Sequence, residues 1–98
     1  MAYKLSIRDD AKHDIIKGYK WYEDKSIGLG ARFVDEIEMM IGYLATYPEH
    51  FQIKTKKRYR EAVLKIFPYV IIYEVSQKEG EIVIYSVFPT KDNPNKKP

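Results

Sequence analysis

The chain has 98 residues, a formal net charge of +3, 45% hydrophobic and 14% aromatic residues, and no cysteine. This length and apolar content predict one folded domain with a modest core, and the missing cysteines exclude disulfides and thiolate metal sites. No apolar run is long enough to span a membrane and no signal-peptide pattern stands at the N-terminus, so we expect a cytoplasmic protein without membrane contact.

The first predicted elements are a short strand and a helix. Residues 3–7 alternate between polar and apolar side chains, which predicts a strand. Asp9 and Asp10 then offer N-cap chemistry and negative charge for the first turn of a helix. Apolar residues recur at helical spacing on one stripe of this helix: Ala11, Ile15, Tyr19 and Tyr22. Gly18 weakens the helix interior but permits close approach of a neighbour.

A second helix follows a glycine-containing break at residues 26–30. Its apolar residues again recur at helical spacing: Leu29, Phe33, Ile37, Met40, Ile41 and Leu44. Tyr47 precedes Pro48, and a proline disfavours helical backbone in the residue before it, so the helix should end there. The short connection between two amphipathic helices predicts an antiparallel hairpin.

The second half of the sequence is rich in β-branched and aromatic residues. Extended segments are predicted at Gln52–Tyr59, Ala62–Phe67, Tyr69–Val75 and Glu81–Phe88. The predicted class is therefore α+β: a short N-terminal strand, an antiparallel helical hairpin, then a three- to four-stranded antiparallel sheet with the helices on one face. Residues 1–91 should form one domain, and residues 92–98 a flexible tail.

Basic residues are concentrated in one segment. Residues 53–60 read IKTKKRYR, in which five of the eight side chains are positively charged. If this segment is one extended strand, four of these residues share a face: Lys54, Lys56, Arg58 and Arg60. Such a run either protects an edge strand by charge or binds an anionic partner, and the residues alone leave both readings open.

Several motifs, in this order, carry a resemblance that covers nearly the whole chain. They are YKWY at residues 19–22, SIGLGARF at 26–33, Tyr47-Pro48, Arg60 before an apolar strand, FPYVIIY at 67–73, and Val87-Phe88 followed by Asn93-Pro94. In order and spacing they resemble the ParE branch of the RelE/ParE superfamily, the toxins of bacterial type II toxin–antitoxin (plasmid stabilisation) modules.

The resemblance implies a partner and two possible targets. A cognate antitoxin is expected to wrap the toxin in a hetero-oligomer. RelE-like members cut messenger RNA on the ribosome, whereas ParE-like members poison DNA gyrase. We expect no cofactor. We also expect no metal site, because His13 and His50 are far apart and lack carboxylates at ligand spacing.

Cleavage of RNA requires cations near the phosphate and groups that transfer protons. By resemblance, Arg60 matches the strand arginine of RNA-cutting relatives, and Lys54 and Lys56 match their lysines. Many relatives carry a histidine directly after the final Val-Phe pair, where this chain has Pro89, leaving Tyr85 as the remaining proton-transfer candidate. The incomplete set favours ParE-like inhibition of gyrase by binding. A RelE-like endoribonuclease and an inactive homologue that only binds antitoxin are the alternatives.

Residues for binding the target or the antitoxin are predicted in two regions. The basic segment contributes Lys54, Lys56, Lys57, Arg58 and Arg60. On the first helix, Trp21 and Tyr22 are expected to anchor the core or an interface, since aromatic side chains supply large contact areas. His50 is interpreted as an ordinary loop residue.

Overall fold

A computed structural model describes residues 3–55 and 58–90 of the protein. The elements in chain order are β1 (Lys4–Ile7), α1 (Asp9–Lys25), α2 (Leu29–Thr46), β2 (Ile53–Thr55), β3 (Tyr59–Val63), β4 (Tyr69–Ser76) and β5 (Glu81–Pro89). The predicted α+β class, with an N-terminal strand, a helical hairpin and a β-rich second half, is confirmed. The predicted tail at residues 92–98 falls outside the described residues.

The strands form one sheet in the order β1-β5-β4-β3-β2. Strands β2 to β5 pair antiparallel in chain order, as predicted. The N-terminal strand β1 extends this sheet by pairing parallel to β5, with Leu5 opposite Ile82. The hairpin of α1 and α2 covers one face of the sheet, and no described helix lies on the other, which we call the open face.

The basic segment is not the single strand that its alternation suggested. Strand β2 ends at Thr55, Arg58 lies in a turn, and β3 returns antiparallel so that Arg60 stands opposite Ile53. The prediction of one strand that carries all four basic residues is therefore wrong, while the side chain of Lys54 and all of Lys56 lie outside the described residues.

The hairpin is tight at two glycines. A Cβ on Gly30 would lie 2.6 Å from the carbonyl oxygen of Tyr19, and one on Gly18 would lie 2.7 Å from the ring of Phe33. The close approach predicted at Gly18 is therefore confirmed. The connecting turn contains Gly28 at φ 90°, a left-handed conformation that favours glycine.

Carboxylates fix the ends of the hairpin. The carboxylate of Glu23 accepts hydrogen bonds from the backbone amides of Gly28 and Gly30, at 2.9 and 3.0 Å. These bonds attach the start of α2 to α1. Helix α1 begins after Arg8, which makes no side-chain cap, so the predicted N-cap role of the aspartates is wrong. Asp9 and Asp10 do supply negative charge to the first turn, as predicted.

The core lies between the hairpin and the inner face of the sheet. Its fully buried members include Phe33, Ile37 and Leu44 from α2, Ile71 and Tyr73 from β4, and Ile82 and Ile84 from β5. Outside this core, Glu36 accepts three successive amides of the β3–β4 loop: Lys65, Ile66 and Phe67, at 2.8, 2.9 and 3.0 Å. The loop is thereby fastened to α2.

Candidate functional site

The open face carries a cluster of charged and aromatic side chains around Glu74. This Glu74 cluster consists of Arg8, Arg58, Tyr59, Glu74 and Tyr85. Arg58 donates to both carboxylate oxygens of Glu74, with Nε–Oε2 and Nη2–Oε1 distances of 3.2 and 3.4 Å. Tyr85 donates its hydroxyl to Oε1 of the same carboxylate at 2.9 Å. Glu74 therefore binds both the arginine and the tyrosine that the sequence had marked as candidates.

Rings and guanidinium groups complete the Glu74 cluster. The rings of Tyr59 and Tyr85 meet edge to face with centroids 5.2 Å apart. The guanidinium of Arg58 lies 5.3 Å from the Tyr59 centroid, and that of Arg8 lies 5.4 Å from the Tyr85 centroid. The cluster thus joins the end of β1 to β3, β4 and β5.

Tyr85 is held in its protonated form. Burial raises the pKa of its hydroxyl, and the hydrogen bond to Glu74 and the negative charge of that carboxylate raise the pKa further. A phenol with a raised pKa stays neutral near pH 7, so Tyr85 can donate a hydrogen bond but is a poor general base.

Arg60 points to the other side of the sheet. Its strand partner is Tyr73, a fully buried residue on the helix-covered face, and its Nη1 donates to the carbonyl of Phe51 at 2.6 Å. Tyr85 instead bonds Glu74, the strand neighbour of Tyr73, and successive residues of a strand face opposite ways. The structure therefore does not bring Arg60 and Tyr85 into one site.

Tyr73 supports the segment that Arg60 contacts. Its hydroxyl donates to the carbonyl of Pro48 at 2.8 Å. Burial raises the pKa of Tyr73 to about 12, and the positive charge of Arg60 opposes that rise without cancelling it. The segment after α2 is thus attached to the sheet.

His50 has more partners than an ordinary loop residue. Its Nδ1 lies 2.9 Å from the hydroxyl of Tyr43, and its ring contacts Tyr43 and Phe51 edge to face. Tyr47 extends this row of rings, and the Phe51 carbonyl accepts the bond from Arg60. His50 lies beyond the end of α2, so the helical spacing of the sequence could not reveal that its ring meets Tyr43.

The two aromatic candidates of α1 have different environments. Trp21 is 55% exposed, and the Lys25 ammonium lies 4.6 Å from its ring centroid. Tyr22 packs against the rings of Phe33 and Phe67, at centroid distances of 5.3 and 4.8 Å, so it contributes to the core.

Trp21 also borders a groove of about 620 Å³ between α1 and the end of the sheet. Pro68, Phe88 and Pro89 form part of the opposite wall. Asp14 fastens α1 to this end of the sheet by accepting the amide of Val87 at 3.0 Å.

The lysines of the basic segment are only partly described. The backbone of Lys54 belongs to β2, whereas its side chain, Lys56 and Lys57 lie outside the described residues. Within residues 3–55 and 58–90, no three His, Cys, Asp or Glu residues are grouped as a metal site would require. No helix in the same ranges is long and apolar enough to cross a membrane.

A helical hairpin on one face of a mostly antiparallel sheet is the fold of the RelE/ParE toxins. The structure of a chromosomal ParDE system from P. aeruginosa is similar with a TM-score of 0.79 and 17% identity, covering 92% of this chain and 98% of that one. The toxin–antitoxin complex RelBE of E. coli gives a TM-score of 0.69 and 15% identity, covering 93% and 100%. Isolated E. coli RelE gives a TM-score of 0.68 and 16% identity, covering 94% and 88%.

Sequence comparison gives the family. Residues 5–94 match the family described as ParE toxin of the type II toxin–antitoxin system parDE. The chain therefore belongs to the ParE toxin family, and it is a toxin of a type II toxin–antitoxin system. No curated protein sequence matches it significantly.

Proposed function

We propose that the protein acts by binding DNA gyrase in the bacterial cytoplasm, without cutting RNA, and that a cognate antitoxin neutralises it. Structures similar to this chain come from a ParDE toxin–antitoxin system and from a RelBE toxin–antitoxin complex, which supports the antitoxin as partner. The gyrase target rests on the family resemblance and on the arrangement of the candidate catalytic residues.

The observation that carries this proposal is the separation of Arg60 from Tyr85. Cleavage of RNA needs a cation and a proton-transfer group at the same phosphate of the RNA backbone, both within hydrogen-bond distance. Here the two side chains face opposite sides of the sheet, and each is already bonded, Arg60 to the Phe51 carbonyl and Tyr85 to Glu74. Such a pair does not act on one phosphate.

The end of β5 supports the same conclusion. Pro89 stands opposite Tyr69 in the sheet, at the position where many RNA-cutting relatives carry histidine. Proline has no titratable side chain and no amide proton, so it can neither transfer a proton nor donate a hydrogen bond. Loss of one general acid or base lowers a rate by roughly 10²–10⁴-fold.

One observation favours a second candidate, RelE-like cleavage of messenger RNA on the ribosome. His50 packs against the ring of Phe51, whose carbonyl accepts the bond from Arg60, so an imidazole and a guanidinium both contact this residue. Imidazole is the commonest general acid or base in enzymes. If RNA is cut, Arg60 and His50 are the pair to expect, with Lys54 and Lys56 nearby in sequence.

The test compares the two activities of the purified toxin, freed of antitoxin. Gyrase supercoiling and accumulation of cleaved DNA are measured beside codon-specific cleavage of messenger RNA on programmed ribosomes. We expect inhibition of gyrase and no cleavage of messenger RNA. The variants Arg60→Ala and His50→Ala serve as controls in both assays.

Each other outcome has a defined meaning. Ribosomal cleavage that disappears in Arg60→Ala and His50→Ala would replace the gyrase proposal by the endoribonuclease. Inactivity in both assays, with intact antitoxin binding, would identify a homologue kept only as an antitoxin partner.

A further inference from the structure

The Glu74 cluster combines the groups that proteins use to hold single-stranded nucleic acid. In such sites bases stack on aromatic rings while arginines bind phosphates and stack on bases. Tyr59 and Tyr85 are adjacent rings, and Arg58 and Arg8 lie against them at 5.3 and 5.4 Å. The side chain of Arg58 is 57% exposed, so a ligand can reach it.

Glu74 opposes this use of the surface in two ways. Its two carboxylate oxygens accept hydrogen bonds from Nε and Nη2 of Arg58. Without Glu74, these two donors could form a bidentate contact with a phosphate. The negative charge of Glu74 also repels a phosphate that approaches Arg58 or Tyr85. The hydroxyl of Tyr85 already donates a hydrogen bond to this carboxylate at 2.9 Å.

We propose that Glu74 masks a binding site for single-stranded nucleic acid on the open face, formed by Arg8, Arg58, Tyr59 and Tyr85. A single carboxylate then decides whether this face holds phosphates and bases or is closed to them. This site belongs to the isolated protein, whether or not gyrase is its target.

The test uses Glu74→Gln, which keeps the shape of the side chain and removes its charge. Binding of fluorescein-labelled single-stranded RNA and DNA oligonucleotides of equal sequence is followed by anisotropy across a salt series. Glu81→Gln is the matched control: Glu81 is also on the open face, but its described bond is to Ser6 at 3.4 Å, away from Arg58 and Tyr85.

We expect Glu74→Gln to bind roughly tenfold more tightly than wild type, because charge-assisted contacts of one arginine become available. The slope of log K against log salt should steepen by about 0.7, the value for one additional phosphate on a single strand. Adding Arg58→Ala to Glu74→Gln should return both quantities to wild-type values. A gain for RNA alone would indicate contact with the 2′-hydroxyl, and an equal gain for DNA would indicate phosphates and bases only.

Equal binding by Glu74→Gln and wild type would overturn the proposal. So would an equal gain in Glu81→Gln, because the effect would then come from net charge alone. Glu74→Ala is tested in parallel, and circular dichroism identifies the folded variants, so that a folding defect in one variant does not decide the result.

Discussion

Tyr73 joins the segment that follows α2 to the sheet. It is the largest of the fully buried side chains, and its hydroxyl donates to the Pro48 carbonyl at 2.8 Å. A buried hydroxyl without an acceptor is costly, so this bond fixes how the segment after α2 meets the sheet. The Phe51 carbonyl, and with it the bond to Arg60, belongs to the same segment.

Tyr73→Phe should lower the free energy of unfolding by about 1–2 kcal/mol, since the Pro48 carbonyl loses its donor in a buried position. Urea denaturation near neutral pH measures this. Tyr47→Phe is the control, because Tyr47 is exposed and its change should be close to zero. Equal effects of the two substitutions would contradict the role given to Tyr73.

The raised pKa of Tyr73 predicts a pH dependence. Above the unfolded pKa of about 10, the native state holds the phenol proton more tightly than the unfolded state, up to its own pKa of about 12. The stabilising contribution is therefore complete below pH 10 and is lost as pH rises toward 12. Denaturation midpoints across this window should fall more steeply for wild type than for Tyr73→Phe.

At the level of elements, the helices and the antiparallel order of the later strands could be predicted from the sequence, whereas the exact strand bounds and the register could not. Each helix has an apolar stripe at helical spacing, a local property that survives whatever the helix packs against. The break between β2 and β3, and the opposite directions of Arg60 and Tyr85, depend on register across three strands and on an irregularity between Ile72 and Tyr73. Register is set by nonlocal contacts, so sequence alternation alone did not reveal it.

Two glycines of α2 give a matched test of helix packing. Gly30→Ala should destabilise by about 1–3 kcal/mol, because the new Cβ would meet the Tyr19 carbonyl at 2.6 Å and force the helices apart. Gly42→Ala should stabilise by about 0.5–1 kcal/mol, since its Cβ meets nothing within 4 Å and alanine favours the helix. Thermal melts of both variants check the pair, and a stable Gly30→Ala would mean that the hairpin is looser than described.

At the scale of the whole molecule, charge is unevenly distributed. Residues 52–67 contain six Lys or Arg and one Glu, whereas residues 8–47 contain six Lys or Arg and eight Asp or Glu. A basic surface attracts an acidic partner during diffusion, and this attraction weakens with salt. Antitoxins of this class are typically acidic by the family resemblance, so the basic segment is the expected first contact.

Replacing Lys54, Lys56 and Lys57 by Ala should slow association with the antitoxin by about tenfold at low salt and change dissociation less. Stopped-flow mixing with the purified cognate antitoxin measures both rates. The control removes the same charge elsewhere, at the exposed residues Lys12, Lys20 and Lys78. Equal slowing in both variants would assign the effect to net charge, and no slowing in either would exclude steering by the basic segment.

The parallel pairing of β1 with β5 has a consequence for the time at which the protein becomes complete. The ribosome makes β1 before the other described elements, yet its partner residues Glu81–Ile84 belong to the last of these elements to be translated. The contacts between α1 and α2 are close in sequence and become available early in synthesis, whereas the edge of the sheet can form only after β5 has been made. The contact between Arg8 and Tyr85 also requires β5. A nascent chain that lacks β5 therefore has neither the finished sheet nor the Glu74 cluster.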